Sequence, residues 1–191
     1  MSKDIYDITD SNSYQNTINN LRKCKDSKLI KAMKMPDKCC YDAVFVNSSN
    51  KEMQVEIKDR TLNYQTKQPQ YTYTYPTAMF EVNKYERMIN ETETPVYCAT
   101  YTDGVILYDL KRLNEQYGED ISKSIKEAQN ALKQGNITYS NEWCTIKPVK
   151  EKTVQQSQKI HQVKLDLPIP TEEENYKNNY SKIYFNEKRK R

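Results

Sequence analysis

Apolar and polar positions follow two different periods along the first sixty residues of the chain. Across residues 13–35 the apolar side chains recur at roughly helical spacing and a proline follows, which predicts a helix that the polar pair at 26–27 divides in two. The segments YDAVFV (41–46) and EMQVEIK (52–58) instead alternate with a period of two around a turn-forming NSSN. These two segments therefore predict a β-hairpin.

The register of this hairpin follows from its short connection, which pairs Ala43 with Val55 and Asp42 with Glu56. In that register one face of the hairpin is apolar and can lie on a core. The opposite face carries the polar side chains Asp42, Gln54, Glu56 and Lys58. A different loop length would move the pairing by a residue or so, but the alternation would still place two carboxylates on one face.

The middle of the chain predicts three more strands and one helix. YTYTY (71–75) is expected to form a strand, and an amphipathic helix is expected to follow from Pro76 to about Asn90. PVYCATY (95–101) and GVILYDL (104–110) predict two strands joined by a short turn. The second of these is apolar enough to be buried on both faces.

The last third of the chain is poorer in apolar residues. A helix is expected over 120–134, ending at a glycine, and a last short strand is expected over 143–149. We therefore expect an α/β domain over residues 1–150, with a mixed central β-sheet flanked by helices. Residues 151–191 are expected to form an extended polar and basic C-terminal arm that ends in KRKR.

The composition excludes several classes of enzyme. Three glycines, none of them clustered, do not supply a phosphate cradle, and one histidine does not supply the ligands of a zinc hydrolase. Five cysteines without a CxxC pair favour reduced thiols over a disulfide framework or a zinc ribbon. Catalysis would then depend on carboxylates, lysines, tyrosines or a hard metal ion.

The sequence also bears on location and partners. No run of roughly 18 or more apolar residues occurs, and the N-terminus lacks the apolar segment of a signal peptide. We therefore expect no membrane partner and a cytoplasmic protein, located in the host cytoplasm if it is viral. The net charge of +4 and the pI of about 8.6 are compatible with a polyanionic partner, but many proteins without one share them.

Asp42, Glu56 and Lys58 form the spaced motif D-x13-E-x-K. This motif, with the order helix, hairpin, third strand, helix and strand, resembles the core of the PD-(D/E)XK nuclease superfamily, which includes restriction endonucleases, archaeal resolvases and many phage proteins. The resemblance covers roughly residues 12–110. The chain departs from the family pattern at Tyr41, where the family often has a proline.

The resemblance implies a restriction-endonuclease-like fold and the hydrolysis of DNA phosphodiester bonds with Mg²⁺ or Mn²⁺ as cofactor. Asp42 and Glu56 would bind the metal, since paired carboxylates are hard oxygen ligands, and the backbone carbonyl of Ile57 would be a further ligand. Lys58 would orient the attacking water or stabilise the charge that develops in the transition state. DNA as the partner and a homodimer are also implied by the resemblance.

Four further residues are candidates for the site. Glu81 and Lys84 are three residues apart on the helix predicted after the third strand, and so share a face. The resemblance implies that Lys84 acts in catalysis and contacts the substrate phosphate, and that Glu81 extends the acidic cluster; the alternative is an ion pair that faces solvent. Arg60 and Lys67 are candidates for contact with the nucleic-acid backbone.

Several alternatives remain open at this point. An ExK triplet also occurs by chance, in which case Glu56 and Lys58 would be the solvated face of an edge strand. A second alternative is a catalytically inactive nucleic-acid-binding or virion-associated phage protein that retains the nuclease fold. A third is a structural or regulatory phage protein without a nucleic-acid partner. The number of metal ions is open as well, because residues 12–35 offer only Asp26 as an acidic side chain.

Overall fold

Three α-helices and two β-sheets make up the computed structural model, which describes residues 5–36, 39–63, 66–74, 77–133, 144–146, 163–171 and 180–185. The helices are α1 (Ile5–Lys23), α2 (Val82–Glu91) and α3 (Leu110–Lys133). The strands are β1 (Leu29–Lys34), β2 (Ala43–Asn47), β3 (Glu52–Asp59), β4 (Thr77–Glu81), β5 (Pro95–Thr100), β6 (Gly104–Asp109), β7 (Cys144–Ile146), β8 (Val163–Pro168) and β9 (Ser181–Phe185).

The central sheet has six strands in the order β1-β2-β3-β5-β6-β9. Only β3 and β5 run parallel, and all other neighbours in this sheet are antiparallel. The smaller sheet has the order β4-β8-β7, in which β8 is antiparallel to β4 and parallel to β7. The protein is therefore of the α/β class with a mixed central sheet, as the sequence predicts.

Each face of the central sheet carries its own apolar core. On one face, Ile18 and Leu21 of α1 pack with Phe45 and Val55 of the hairpin. On the other face, Tyr97 packs with buried side chains of α2, α3 and the smaller sheet. The aromatic ring of Phe80 stacks on Tyr97, with 4.3 Å between ring centroids. The candidate site lies on this second face.

The predicted hairpin and its register are confirmed. β2 and β3 pair antiparallel, with Ala43 opposite Val55 and Val46 opposite Glu52. Ala43 and Val55 are fully buried, because the alternation of the sequence directs one side of both strands into the core against α1.

The predicted second half of the first helix is wrong. α1 ends at Lys23, and the chain forms β1, which pairs with β2. One 3-10 turn lies between α1 and β1. After it, Lys28 adopts the left-handed conformation with φ of 50° and redirects the chain. Leu29 and Ala32 pack on the core beside α1. Pairing with β2 thus decides the structure of a segment whose apolar spacing also suits a helix.

The predicted strand at 71–75 is also wrong, because Thr72 begins a turn. The last residue of that segment and the proline after it lie outside the described residues. The helix predicted from this proline begins only at Val82. Before it, β4 buries Ala78 and Phe80 with a period of two and pairs with β8. A strand therefore replaces the first part of the predicted helix because a distant segment supplies its partner.

The strands predicted at 95–101 and 104–110 are confirmed as β5 and β6, but the helix predicted at 120–134 begins earlier. α3 follows β6 directly, and its N-terminus is capped where Asp109 Oδ1 accepts a hydrogen bond from the Arg112 amide (3.1 Å). Its buried side chains recur at helical spacing: Leu110, Leu113, Ile121 and Ile125. The glycine predicted to end the helix lies outside the described residues.

The described residues beyond position 150 supply strands to both sheets. β8 lies in the part expected as an extended arm, and its Leu165 and Leu167 are fully buried. β9 pairs with β6 at the edge of the central sheet, where Ser181 is buried. The strand predicted at 143–149 is confirmed in part by β7. The domain boundary at 150 stays a prediction, and the terminal KRKR lies outside the described residues.

The described cysteine side chains are Cys24, Cys39, Cys40 and Cys98, and no disulfide joins them. The expectation of reduced thiols stays a prediction. Within the described ranges, none of the helices combines the length and the apolar character that a membrane crossing requires.

Candidate active site

Asp42 lies immediately before β2 and is bonded to β3. Its amide donates a hydrogen bond to the carbonyl oxygen of Val55 (2.9 Å), and its Oδ2 accepts one from the amide of Ile57 (2.7 Å). These bonds hold the carboxylate beside the strand that carries the rest of the motif. The structure therefore brings Asp42 next to Glu56, as the hairpin register predicts.

Glu56 is a buried carboxylate in the middle of β3. Only 5% of the residue is exposed, and its neighbour in the parallel ladder is Tyr97 of β5. Burial, and after it the negative charges of Asp42 and Glu81, raise the pKa of Glu56 from its usual 4.5 to about 7. A carboxyl group in a cleft with a pKa near neutrality is typical of functional sites. The alternative in which Glu56 lies on the solvated face of an edge strand is wrong, since β3 is an interior strand of the sheet.

Lys84 reaches Glu56 from the first turn of α2. Its Nζ donates a hydrogen bond to Glu56 Oε1, and this charge opposes the rise in the pKa of Glu56 without cancelling it. Burial lowers the pKa of Lys84, but the charge of Glu56 and the hydrogen bond to it outweigh burial, so the pKa of Lys84 lies above its usual value. Lys84 thus pairs with Glu56, and not with Glu81 in the solvent-facing ion pair that was the alternative.

Glu56 and Lys84 line a small cleft in which carboxylates and cationic side chains lie close together. The lining residues are Glu56, Lys58, Arg60, Met79, Phe80, Glu81, Lys84 and Tyr97. Lys58 is exposed and shares a face of β3 with Glu56, because side chains two apart on a strand point the same way. The cleft has a volume of ≈ 20 Å³, which is room for about one water molecule. A polymeric substrate would therefore lie across its mouth.

Arg60 is directed into the protein, whereas the sequence predicts that it contacts the nucleic-acid backbone. Its Nη2 donates hydrogen bonds to the carbonyl oxygen of Met79 (2.6 Å) and to the hydroxyl oxygen of Tyr97 (3.3 Å). The Tyr97 hydroxyl also donates to the Met79 carbonyl oxygen (3.0 Å). Arg60 thus ties the end of β3 to β4, and its Nε is buried without a hydrogen-bond partner.

Of the other two candidates, Glu81 lies at the cleft and Lys67 lies away from it. Glu81 is the last residue of β4, not part of the helix, and it lines the cleft. Lys67 lies in the loop between β3 and β4 with φ of 57° and is exposed. The structure does not bring Lys67 into the cleft, and its contact with nucleic acid stays a prediction, as does the role of the Ile57 carbonyl.

Sequence reasoning missed the wall of the cleft that Tyr97 and Met79 supply. Tyr97 belongs to a strand that the sequence predicts correctly, but its place beside Glu56 depends on the parallel pairing of β3 with β5. Met79 depends in the same way on the position of β4. No local pattern signals either contact, because the partners are distant in the chain.

The donor set suits a hard divalent cation that is bound by few protein ligands. Asp42 and Glu56 offer carboxylate oxygens, and Glu81 is close enough to influence Glu56 electrostatically. Within the part of the chain that the structure describes, three or more acidic, histidine or cysteine side chains do not come together as a metal-binding group. Mg²⁺ often takes only one or two protein carboxylates and completes its shell with water and substrate phosphates, so the pair fits it.

Comparison of the chain with protein-family models, with curated proteins and with solved structures found no match.

Proposed function

We propose that the protein is a Mg²⁺-dependent nuclease that hydrolyses DNA phosphodiester bonds. One observation carries the proposal: Glu56 is a buried carboxylate held beside Asp42, in a cleft that two lysines also line. Burying a carboxylate beside a second carboxylate is unfavourable unless a cation compensates the charge. Catalytic use of a cation gives a physical reason for keeping such an arrangement.

Four residues at the site have separate roles in this proposal. Asp42 and Glu56 would hold Mg²⁺ or Mn²⁺, which when bound polarises the scissile phosphate and acidifies a water molecule. Lys58, exposed at the cleft, would stabilise negative charge on the phosphate as it develops. Lys84 compensates the charge of Glu56 and would turn to the substrate phosphate once a metal ion takes over that compensation.

The order of the elements agrees only in part with the order that the resemblance implies. The resemblance implies a helix, a hairpin, a third strand, a helix and a strand, and the chain has α1, β1, the hairpin β2–β3, β4, α2 and β5. The third strand of the central sheet that pairs with the hairpin is β1, which lies before it in the chain, whereas β4 belongs to the smaller sheet. β5 then packs parallel to β3, so it places Tyr97 against Glu56.

Metal-dependent cleavage by the purified full chain tests the proposal. Plasmid and oligonucleotide substrates are incubated with wild type and with Glu56→Gln, in Mg²⁺, in Mn²⁺ and in EDTA. We expect cleavage by wild type only when metal is present, and none by Glu56→Gln. Glu52→Gln, at the exposed start of the same strand, is the matched control and should remain active. Equal activity in EDTA, or in Glu56→Gln, rejects the proposal.

A second candidate is a nucleic-acid-binding protein that has the same cleft without activity. The observation that favours it is the direct bond from Lys84 to Glu56, which already neutralises the buried carboxylate. In that case wild type binds DNA in a salt-dependent manner but cleaves no substrate in either metal. The cleavage assay above separates the two candidates.

A further inference from the structure

The loop between β3 and β4 carries two tyrosines whose rings stack on each other. The ring centroids of Tyr71 and Tyr73 are 5.4 Å apart, and the ring planes differ by 10°. Tyr73 is 71% exposed, so the ring face turned away from Tyr71 is open to solvent. A parallel aromatic pair with one open face can extend its stack by a further flat ring.

The positions of both tyrosines are fixed by hydrogen bonds. Thr72, between them, is buried, and its amide and hydroxyl donate to the two carboxylate oxygens of Asp103 (2.8 and 2.9 Å). The Thr74 amide donates to the Tyr71 carbonyl oxygen (2.9 Å), which closes the turn. The ring of Tyr73 is therefore presented on an anchored turn, which reduces the entropy that a binding partner would have to remove.

The loop is one of two places with exposed large apolar side chains. Four such side chains are exposed among the described residues: Leu62 and Tyr73 belong to this loop, and Ile30 and Met33 belong to β1. What distinguishes Tyr73 is its parallel aromatic partner, because a flat ring can continue the stack. The loop also contains Lys67, and its charge favours an anionic partner.

The loop begins where β3 leaves the candidate active site. The Gln70 amide donates a hydrogen bond to the Thr61 carbonyl oxygen (2.8 Å), so the tyrosine turn lies next to Thr61. The stretch of chain from Glu56 to Thr61 is at most roughly 17 Å long at about 3.3 Å per strand residue. The turn that carries Tyr73 therefore begins within roughly this distance of the cleft.

We infer that Tyr71 and Tyr73 form a stacking platform for an unpaired base of a single-stranded nucleic acid. This substrate class rests on the proposed nuclease function. A base within a duplex has both faces covered by its neighbours, whereas an unpaired base can offer a face to an aromatic side chain. The platform thus favours single strands, or single-stranded parts of branched substrates, over a continuous duplex.

Binding and cleavage are measured separately to test this inference. The binding probe is a fluorescein-labelled twelve-nucleotide oligothymidylate, followed by fluorescence anisotropy with the full chain in EDTA, so that no metal-dependent cleavage occurs. Tyr73→Ala should weaken binding of this probe by roughly ten- to a hundredfold. Tyr73→Phe keeps the ring and should bind like wild type. Ile30→Ala removes another exposed apolar side chain, on β1, and should leave binding of this probe unchanged.

A labelled duplex is the second probe. The duplex should bind more weakly than the single strand. It should bind equally to wild type and to Tyr73→Ala, because it offers no open base face. Unchanged binding of the single strand by Tyr73→Ala, or equal loss for single strand and duplex, overturns the stacking platform. Strong ring-dependent binding without cleavage in Mg²⁺ would leave the platform intact and reject only the nuclease. The two proposals therefore fail in different measurements.

Discussion

The ammonium group of Lys84 donates a hydrogen bond to the carboxylate of Glu56, although Lys84 lies in the first turn of α2 and Glu56 in the middle of β3. Glu56 is 5% exposed, whereas 45% of the Lys84 side chain is exposed. The lysine can therefore leave the pair towards solvent, but the carboxylate cannot. This asymmetry makes Lys84 the residue that would move when a metal ion or substrate enters.

Loss of Lys84 should destabilise the metal-free protein in a pH-dependent way. Lys84→Met leaves the buried Glu56 carboxylate without its cation, so we expect the free energy of unfolding to fall by about 1–2 kcal/mol at pH 8. This loss is smaller than for a fully buried pair because Lys84 is half-exposed. At pH 5, where Glu56 is protonated, the loss should be smaller. Urea unfolding in EDTA measures it. Lys126→Met, exposed on α3, is the control; an equal loss at both pH values contradicts the prediction.

The raised pKa of Glu56 predicts how stability depends on pH. The folded protein has a Glu56 pKa of about 7 against an ordinary 4.5, so between these values it holds a proton that the unfolded chain releases. The free energy of unfolding should therefore fall as pH rises from 4.5 to 7 and level off above, by roughly 3 kcal/mol at most. Glu56→Gln should remove this part of the pH dependence in urea unfolding with EDTA. Parallel profiles for wild type and variant would argue against a raised pKa.

The three residues of the motif should have separable effects. Asp42→Asn and Glu56→Gln remove ligand charge, so each should weaken Mn²⁺ binding, measured by calorimetry, and abolish cleavage. Lys58→Ala should bind Mn²⁺ like wild type and lose roughly a hundred- to a thousandfold in cleavage rate, because only transition-state stabilisation is removed. Lys51→Ala, also exposed, is the matched control. If Lys58→Ala cleaved at the wild-type rate, its proposed role would be wrong.

The end of the chain should contribute to folding through β9. Deletion from Thr171 removes Tyr180, which is buried and packs edge-on against Tyr117 at 5.7 Å, and it leaves the β6 edge unpaired. We expect the free energy of unfolding to fall by more than about 2 kcal/mol, the contribution of one buried aromatic side chain. Deletion of residues 186–191 alone keeps β9 and should leave stability unchanged. Thermal unfolding of both truncations checks this. If the deletion from Thr171 were as stable as the deletion of residues 186–191, β9 would lie outside the cooperative fold.

Local patterns determined the parts of the fold whose partners are close in sequence. The hairpin was predictable to the residue, because a short turn and strict alternation leave one register that buries Ala43 and Val55. β5 and β6 were predictable for the same reason. The nearness of Asp42 and Glu56 followed from the hairpin alone, so the acidic pair of the candidate site could be predicted before any tertiary contact was known.

Only the tertiary structure decided the segments whose apolar spacing suits both a helix and a strand. β1 and β4 are strands because β2 and β8 pair with them, and such pairing brings together segments that no local pattern connects. The same holds for the site: Lys84 meets Glu56, and Arg60 turns inward to Met79, because β4 and α2 lie over β3. The sequence by itself determined which charged groups share a strand, and long-range packing decided which of them are buried and what compensates their charge.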